Sequence, residues 1–492
     1  MPHKKITPPA SGSTSRRTFM KNAAIAGAAF TIVPRYVIGG KGYLAPSDKL
    51  FVAGIGAGGK GTSDIANFAK SGKAEIAFLC DVDDRRAETS RKNFPKAKYY
   101  KDYREMLDKE GKNFDAVSVS TPDHQHAVQA LAAMQMGKHV YVQKPLTHDI
   151  YEARMLTQAA EKYKVVTQMG NQGASGDGVR QMREWYDAGI IGDVTEVYCW
   201  TNRPVWPQGI PWPTKSAPIP KELDWELWLG TAPKKDYVDK LVPFNWRGWW
   251  DYGTGALGDM ACHIIEPPFR TLGLGYPSSV ECSVGSVYVD EFKRGYFPDS
   301  CPPSSHVIMN FPGPGGKPDV KFHWMDGGIQ PERPEELGPN EMMGDGGNGV
   351  IMVGSKGKMM CSTYGRDPKL LPTSRTNEVK VPQTLARVPG GSDTGHYFQW
   401  VEACIAGYGK MEVSSPFDIA GPMTESILMG NLAIRSYDIQ KKRPGGRDDQ
   451  FDYPGRFIKL MWDGPNMKIT NFDDANQFVR RDYRDGWKMQ GL

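Results

Sequence analysis

The 492-residue sequence lacks the cysteine patterns of a disulfide scaffold or a zinc ribbon. Its seven cysteines are an odd number, they are widely spaced, and no two of them form a C-x-x-C pair. An excess of one charge is missing as well, because 61 basic against 56 acidic side chains leave a net charge of only +5. The basic residues are scattered and not grouped into one stripe. Nucleic acid is therefore not expected as a partner.

A long apolar run is also missing near the start of the chain. The stretch NAAIAGAAFTIV ends before Pro34 and is too short to span a bilayer. It follows Arg16 and Arg17 in SRRTFMK, which resembles a twin-arginine export signal. No cysteine precedes Cys80, which excludes lipid attachment. We expect residues 1–47 to be a signal and linker, and the mature protein to be periplasmic and free of the membrane. The alternative is a disordered basic tail beside a fortuitous apolar run.

What the sequence does contain is enough apolar material for two folded domains. The hydrophobic share is 39% and there are thirteen tryptophans, which is typical of a folded globular protein. A chain of this length exceeds what a single core normally organises. No internal repeat or low-complexity tract stands out. We therefore expect two domains behind the signal.

The first domain opens with a strand that runs into closely spaced glycines, KLFVAGIGAGGKG. Two registers fit G-x-G-x-x-G. One begins at Gly54, and the other uses Gly56, Gly58 and Gly61. We prefer the second because it leaves Phe51 to Ile55 as an uninterrupted strand. Such a turn lets the backbone and the next helix approach a pyrophosphate.

An acidic residue at the correct distance strengthens this interpretation. The second apolar strand, AEIAFLCD, ends in Asp81 about twenty residues after the glycines, where a carboxylate can bond ribose hydroxyls. A negative charge there disfavours a 2′-phosphate, so NAD is expected, while Arg85 and Arg86 keep NADP possible.

Strands and helices continue to alternate beyond Asp81. Phe114–Ser120, His139–Gln143 and VVTQMG are predicted strands with helices between them, which indicates a doubly wound parallel sheet. Ligands of such sheets lie beyond the carboxyl ends of the strands. TPDHQH and QKPLTH fall there. His124 and His126 could begin a metal site, but no third ligand follows at a suitable spacing, and we favour capping or packing roles for them.

Lys144 is the most notable side chain of these two segments. It follows an apolar strand and precedes Pro145, which stiffens the turn that holds it. Beside an oxidised nicotinamide, a like charge and partial desolvation would both lower its pKa toward useful acid and base chemistry.

GIGAGGKG, CDVDDRRA, TPDHQH and QKP, in this order, resemble the Gfo/Idh/MocA family of glucose-fructose oxidoreductase and inositol dehydrogenase. The resemblance implies a Rossmann-type α/β domain followed by an α+β domain with an open, mainly antiparallel sheet. It implies a catalytic lysine at Lys144. The family usually has glutamate before this lysine, whereas this chain has Gln143.

We place the NAD-binding domain at 48–169, the substrate domain at 170–465 and a tail at 466–492. The expected cofactor contacts are Gly56, Gly58, Gly59, Gly61, Asp81, Arg85, Thr121, Pro122, His126 and Lys144.

The same resemblance implies a catalytic D-x-x-x-H helix, which GALGDMACHIIEP matches. The four-residue spacing puts Asp259 and His263 on one helix face, where they can converge on one substrate hydroxyl. His263 could take the hydroxyl proton, Asp259 could orient the substrate, and Lys144 could polarise the oxygen; whether Lys144 or His263 takes the proton stays open. The structural alternative is a charge at a helix N-terminus and a buried core histidine. Glu266 could add a cation ligand, but nothing else requires a metal and none is expected.

Eight of the thirteen tryptophans lie between residues 200 and 250. Such rings suit the faces of a sugar, although for any single tryptophan packing between domains is the stronger interpretation. His396 is a weaker candidate, with packing favoured. The expected substrate contacts are Asn171, Trp206, Arg247, Asp259 and His263.

Together these patterns predict an exported NAD-dependent oxidoreductase. It would transfer a hydride between tightly bound nicotinamide and a hydroxyl of a sugar, polyol or glycoside. One alternative is an NAD-dependent glycoside hydrolase that works through a transient ketone and elimination. Another is a non-catalytic sugar-binding protein of the same fold. We also expect a homo-oligomer, with the tail 466–492 wrapped on another subunit.

Overall fold

The computed structural model describes residues 48–447 and 450–489. The expected export signal, residues 1–47, lies outside the described residues. In the described part of the chain two large sheets account for most strands, the first formed entirely before residue 170 and the second entirely after it.

The first sheet of the described chain has six parallel strands in the order β3-β2-β1-β4-β5-β6. Strands β4 and β6 are buried throughout and β1 and β5 nearly so, as expected where helices cover both faces of a sheet, whereas the edge strand β3 is partly exposed. This confirms the predicted doubly wound fold. The strands are β1 Leu50–Ile55, β2 Ala74–Cys80, β3 Lys98–Tyr100, β4 Ala116–Val119, β5 His139–Val142 and β6 Thr167–Met169. The helices are α1 Lys60–Lys70, α2 Asp84–Asn93, α3 Tyr103–Glu110, α4 His126–Gln135 and α5 Ile150–Tyr163.

Local capping explains where several of these helices begin. The Asp83 side chain accepts a hydrogen bond from Arg85 N–H at the start of α2. Asp149 and Glu152 form a reciprocal capping box at the start of α5. Caps of this kind satisfy backbone donors that a helix leaves unpaired.

The second sheet contains nine described strands in the order β15-β14-β13-β7-β12-β11-β8-β18-β19. All neighbouring pairs are antiparallel except β7 with β12, which confirms the predicted open, mainly antiparallel sheet. Alternate residues of β11 are buried, so one face of this sheet covers the core. Its strands are β7 Val194–Trp200, β8 Ser279–Val284, β11 Ser305–Phe311, β12 Val320–Met325, β13 Gly349–Gly354, β14 Gly357–Cys361, β15 Lys369–Leu371, β18 Leu460–Asp463 and β19 Lys468–Ile469.

Helices join the second sheet to the first. The long helix Phe417–Tyr437, α12, packs on both α5 and β8. Its Glu425 forms a 2.6 Å ion pair with Arg154 of α5. The helices are α6 Asp177–Asp187, α7 Trp225–Leu229, α8 Gly255–Ile264, α9 Glu266–Leu272, α10 Arg375–Glu378, α11 His396–Ala406 and α12 Phe417–Tyr437. Two small ribbons pair β9 Tyr288–Asp290 with β10 Lys293–Arg294, and β16 Lys441–Lys442 with β17 Phe451–Asp452.

One expectation about the C-terminal segment needs correction. The hairpin of β18 and β19 crosses residue 465, so the sheet continues into the segment assigned to the tail. The rest of the described tail packs on its own chain, where Arg481 contacts Glu152 and Arg484 contacts Glu226. That it also contacts a second subunit stays a prediction.

The seven cysteines are all free thiols. No helix within 48–447 and 450–489 is both long and apolar enough to cross a membrane.

Candidate active site

The glycine turn follows β1 directly. The strand continues through Gly54 to Ile55 before the chain turns at Gly56, as the second glycine register requires. Gly56 has a φ of 78°, and a Cβ there would lie 2.6 Å from the backbone of Ser120. Only glycine fits such a conformation at this distance. The turn therefore packs closely against the residue that follows β4. The N-terminus of α1 comes directly after the turn, at the carboxyl edge of the sheet.

Asp81 lies beside this turn and accepts hydrogen bonds from two backbone N–H groups. Its Oδ2 accepts a hydrogen bond from Gly58 N–H at 2.9 Å, and its Oδ1 accepts one from Asp83 N–H at 2.9 Å. Burial raises the pKa of Asp81 to about 6, against the lowering effect of these two hydrogen bonds. Because a carboxylate offers about four acceptor sites, Asp81 retains capacity for ribose hydroxyls.

A cleft runs along the carboxyl edge of the parallel sheet from this turn to Lys144. Residues outside the Rossmann strands and helices cover it, including Trp228, Phe244, Arg247 and Trp487. The Rossmann residues that line it include Gly56, Gly58, Gly59, Asp81, Arg86, Thr121, Pro122, Gln143 and Lys144. A glycine turn, a helix N-terminus and an acid with free acceptor sites are the groups with which such folds bind the pyrophosphate and ribose of NAD. The residues present therefore fit NAD.

Three predicted cofactor residues lie outside this lining. Arg85 forms a 2.6 Å ion pair with Asp83 and lines a neighbouring pocket, while Arg86 reaches the cleft. Gly61 packs on the carbonyl of Gly56. Both ring nitrogens of His126 face backbone carbonyls, those of Pro145 and Thr121, each at 2.8 Å. His126 therefore braces the two loops that carry cleft residues.

Lys144 meets Asp259 across the junction of the two sheets. Its Nζ donates hydrogen bonds of 2.8 Å to Oδ1 and to the carbonyl oxygen of Asp259. Arg247 Nε lies 3.1 Å from the same Oδ1. Burial alone would raise the pKa of Asp259, but the charges of Lys144 and Arg247 outweigh it and lower the pKa to about 2. Asp259 is thus a carboxylate held between two cations.

His263 lies one turn after Asp259 on α8, as its spacing predicts, and it is buried. Its pKa is well below 6.5, first because of burial and then because of the Lys144 charge, which together outweigh Asp259. Its ring meets Tyr364 edge-on at 4.6 Å between ring centroids. Among the described side chains and backbone groups, none pairs with its Nδ1. His263 is thus a neutral imidazole one helical turn from the carboxylate that Lys144 and Arg247 connect to the cleft; its own side chain is not among those that line the cleft.

Asn171 follows β6 near the same tyrosine. It is buried, and neither atom of its amide has a hydrogen-bond partner within the part of the chain that the structure describes. Gly173, two residues later, lies close to Tyr364, since a Cβ on Gly173 would be 2.9 Å from the tyrosine Cα. Tyr364 therefore separates the Asn171 turn from His263.

A buried network below Lys144 explains the glutamine that precedes it. Gln143 Nε2 donates to Asp64 Oδ2 at 2.8 Å, and Ser120 Oγ donates to the same oxygen at 2.9 Å. Tyr397 OH donates to the other oxygen at 3.0 Å, and Lys60 also pairs with Asp64. Sequence reasoning missed Asp64, because an acid in the middle of an amphipathic helix pattern gives no signal that it is fully buried.

Most of the clustered tryptophans have packing roles. Trp225, Trp228, Trp246 and Trp249 belong to a separate small core, and of these Trp228 and Trp246 also reach the cleft. Trp206 donates to Gln208 Oε1 at 2.8 Å and lies outside the cleft lining. Packing therefore explains most of the cluster, while its edge contributes to the site.

The remaining histidine candidates are held by protein groups. His124 Nε2 faces the carbonyl of Trp228 at 3.0 Å, and His396 contacts Ser175 Oγ at 2.8 Å and the Met169 carbonyl at 2.9 Å. Both roles agree with the packing interpretation. Within the described ranges, no group of three or more His, Cys, Asp and Glu side chains is arranged to hold a metal ion.

The fold and the cleft define a dinucleotide-binding Rossmann protein with an open-sheet second domain. Residues 50–171 match the Gfo/Idh/MocA oxidoreductase family in its NAD-binding Rossmann fold, and residues 185–290 match the C-terminal alpha/beta domain of that family. Residues 50–171 are therefore an NAD-binding Rossmann domain of the Gfo/Idh/MocA oxidoreductase type, and residues 185–290 belong to the C-terminal alpha/beta domain that follows it in that family.

Relatives and solved structures agree with this assignment. A glycosyl hydrolase family 109 protein of Shewanella sp. (strain ANA-3) is 31% identical over 172 residues, which cover 32% of this chain and 37% of that protein. A levoglucosan dehydrogenase in complex with NADH and levoglucosan superposes with a TM-score of 0.51 at 16% identity, over 78% of this chain and 98% of that one. The WlbA dehydrogenase from Bordetella pertussis, in complex with NADH and UDP-GlcNAcA, has a TM-score of 0.50 at 14% identity, over 76% and 92%. These two structures establish the fold alone.

Proposed function

We propose that this protein transfers a hydride between NAD and an alcohol carbon of a sugar, polyol or glycoside. One observation carries the proposal: Lys144 from the nucleotide half is held 2.8 Å from Asp259 of the other half, at the end of the cleft opposite the ribose-directed Asp81. When bound, NAD supplies the hydride acceptor or donor. The protein then has to bind the alcohol oxygen and move its proton.

Lys144 and His263 have different roles in this proposal. Lys144, ion-paired to an ionised Asp259, presents its ammonium to the substrate oxygen and polarises it. His263 is neutral because burial and the Lys144 charge keep its pKa low, so it accepts the hydroxyl proton during oxidation and returns it during reduction. Asp259 holds Lys144 in place.

Hydroxyl-rich substrates suit the polar atoms that this region leaves without protein partners. The Asn171 amide and the His263 Nδ1 are buried groups outside the cleft lining, and each can hydrogen-bond a hydroxyl of a substrate that extends past Lys144. Arg247, stacked on Phe244 and Trp246 at 4.6 and 4.4 Å, adds a donor beside apolar rings. Two solved structures of similar fold hold NADH with levoglucosan or with UDP-GlcNAcA, which supports a carbohydrate substrate.

Glycoside cleavage is a second candidate, favoured by the 31% identity to a glycosyl hydrolase family 109 protein. A ring hydroxyl would be oxidised, a base would remove the acidified proton from the neighbouring carbon, and the aglycone would leave. Water addition and reduction of the ketone would restore the sugar and the oxidised cofactor. No net redox change would result.

A substrate screen distinguishes these functions. Purified protein is loaded with NAD and exposed to free sugars, polyols and chromogenic glycosides, while reduced nicotinamide and released aglycone are followed optically. Net reduction of NAD supports the dehydrogenase, aglycone release without it supports the hydrolase, and binding without either supports a sugar-binding protein. Lys144→Met should abolish turnover, whereas Lys138→Met, at the opposite end of β5, should not.

We also propose that the protein acts in the periplasm. This rests on the twin-arginine pattern at Arg16 and Arg17, which lies outside the described residues. Changing both arginines to lysine should leave the full-length protein in the cytoplasm of a bacterial host. Export that continues unchanged would overturn the proposal.

A further inference from the structure

The end of the described chain forms part of the cofactor cleft. Residues 479–487, named the strap below, follow the β18–β19 hairpin and contact first α5, then α7 and finally α3. Tyr151 N–H donates to the carbonyl of Val479 at 3.0 Å where the strap begins. Trp487, near its end, lines the cleft with Asp102 and Tyr103.

Two arginines fasten the strap at separate places. Arg481 donates to the fully buried Glu152 at 2.7 Å, and Tyr483 OH donates to the same oxygen at 2.7 Å. Arg484 ion-pairs with Glu226 on α7 and donates to the carbonyls of Glu226 and Gly230 at 2.8 and 3.0 Å. The strap is thus anchored first to α5 and then to α7.

Trp487 is held between the strap and the Rossmann domain. The Arg104 guanidinium lies over its ring, 4.0 Å from the centroid, and the Tyr103 ring lies 6.4 Å away. Its backbone N–H donates to the carbonyl oxygen of Arg484 at 3.1 Å, so a tight backbone turn links Trp487 to the residue whose guanidinium binds α7.

The topology identifies which half of the dinucleotide Trp487 faces. Asp102 and Tyr103 follow β3, the edge strand next to β2, and β2 ends at the ribose-directed Asp81. Lys144 follows β5, on the other side of β1. In a sheet of this order the adenosine half lies on the β2 side and the nicotinamide half on the β5 side. Trp487 is therefore part of the wall at the adenosine end.

The segment between β7 and α8, called the insert below, carries α7 and covers the same cleft. Leu227 and Trp228 line it and follow Glu226 directly. Because Arg484 binds Glu226, it connects the two segments that enclose the cleft from outside the Rossmann fold, the insert and the strap. The insert and the strap would have to separate for the adenosine end of the cleft to open.

We propose that the strap retains NAD: Trp487 closes the adenosine end of the cleft, and Arg484 locks it to α7, so the cofactor leaves only when the strap lifts. The inference rests on the NAD cleft and not on the reaction proposed above. It assigns a cofactor contact to Trp487, which lies 431 positions after Gly56 of the glycine turn.

Dissociation of NADH tests the strap without reference to any substrate. NADH-loaded full-length protein is mixed with excess NAD, and the loss of bound-NADH fluorescence gives the release rate. Trp487→Ala and Arg484→Ala should each raise that rate about tenfold, the scale of one aromatic contact to a base. Both variants should also bind ADP-ribose, which lacks nicotinamide, more weakly by a similar factor.

Two further variants keep the test independent of folding. Arg480→Ala removes a strap arginine that stacks outward on Tyr151, and Trp487→Phe keeps an aromatic ring; both should release NADH at the wild-type rate. The proposal is overturned if Trp487→Ala and Arg484→Ala melt like the wild type yet release NADH no faster. It is also overturned if Arg480→Ala accelerates release equally, since that would indicate general loosening of the tail.

Discussion

Lys144 Nζ and Asp259 Oδ1 lie 2.8 Å apart although the two residues are 115 positions apart in the chain and belong to different domains. Lys144 follows a parallel strand of the nucleotide domain, and Asp259 lies on the helix that packs under the open sheet. Their ion pair fixes the position of the lysine at the end of the NAD cleft and couples the two halves of the site.

This ion pair should make the protein sensitive to acid. The pKa of Asp259 is lowered from 3.8 to about 2, so its contribution to stability is complete above pH 3.8 and is lost as the pH falls toward 2. Asp259→Asn should lower the free energy of unfolding by roughly 2 kcal/mol at neutral pH. Denaturant melts between neutral pH and pH 2 check this, and the variant should lose less stability in acid than the wild type. Equal acid losses in both proteins would contradict the assignment.

His263 should set the acid limit of alcohol oxidation. Because its pKa lies well below 6.5, the rate should stay level at pH 6.5 and above, and fall only in more acidic solution. His263→Asn should lower kcat by about 10²- to 10⁴-fold and leave NADH binding unchanged. Steady-state rates against pH and a fluorescence titration with NADH provide the two measurements. A midpoint at or above pH 6.5 would identify a different base.

Gln143 should not tolerate the glutamate that is usual in the family. A carboxylate there would face Asp64, whose Oδ2 now accepts the Gln143 amide at 2.8 Å. Gln143→Glu should cost roughly 2–3 kcal/mol of stability at neutral pH. The new carboxyl would have a raised pKa, so this loss should shrink as the pH falls. Thermal melts at several pH values check the trend, and adding Asp64→Asn should restore stability at neutral pH. If that second change gives no rescue, the two carboxylates are not in conflict.

Asp81 should make NAD affinity depend on pH. Burial raises its pKa to about 6, so protonation below that pH removes acceptor capacity for the ribose. NADH binding should weaken as the pH falls through about 6, while Asp81→Asn should bind roughly 10- to 100-fold more weakly and without this pH dependence. Asp84→Asn, at the surface ion pair with Lys101, is the matched control. Fluorescence titrations with NADH provide the comparison.

The parts of the site that depend on neighbouring residues in the chain could be predicted. The strand that ends in Gly56, the acid at Asp81, the Lys144-Pro145 turn and the helix that carries Asp259 and His263 all have local patterns, and the structure has each of these elements. Alternating strands and helices also predicted the parallel sheet correctly, because apolar periodicity follows directly from which faces are buried. The open sheet of the second domain was expected from the family resemblance alone.

Contacts between distant segments depended on the tertiary structure. The sequence alone does not show that Asp64 lies beneath Gln143, that Asp259 rather than solvent pairs with Lys144, or that Trp487 lines the NAD cleft. The tail, whose pattern gave no indication of where it packs, lies on its own chain and places Trp487 in the cleft lining. The physical reason is that propensity and periodicity act over a few residues, whereas these pairings are set by how two sheets and their helices pack.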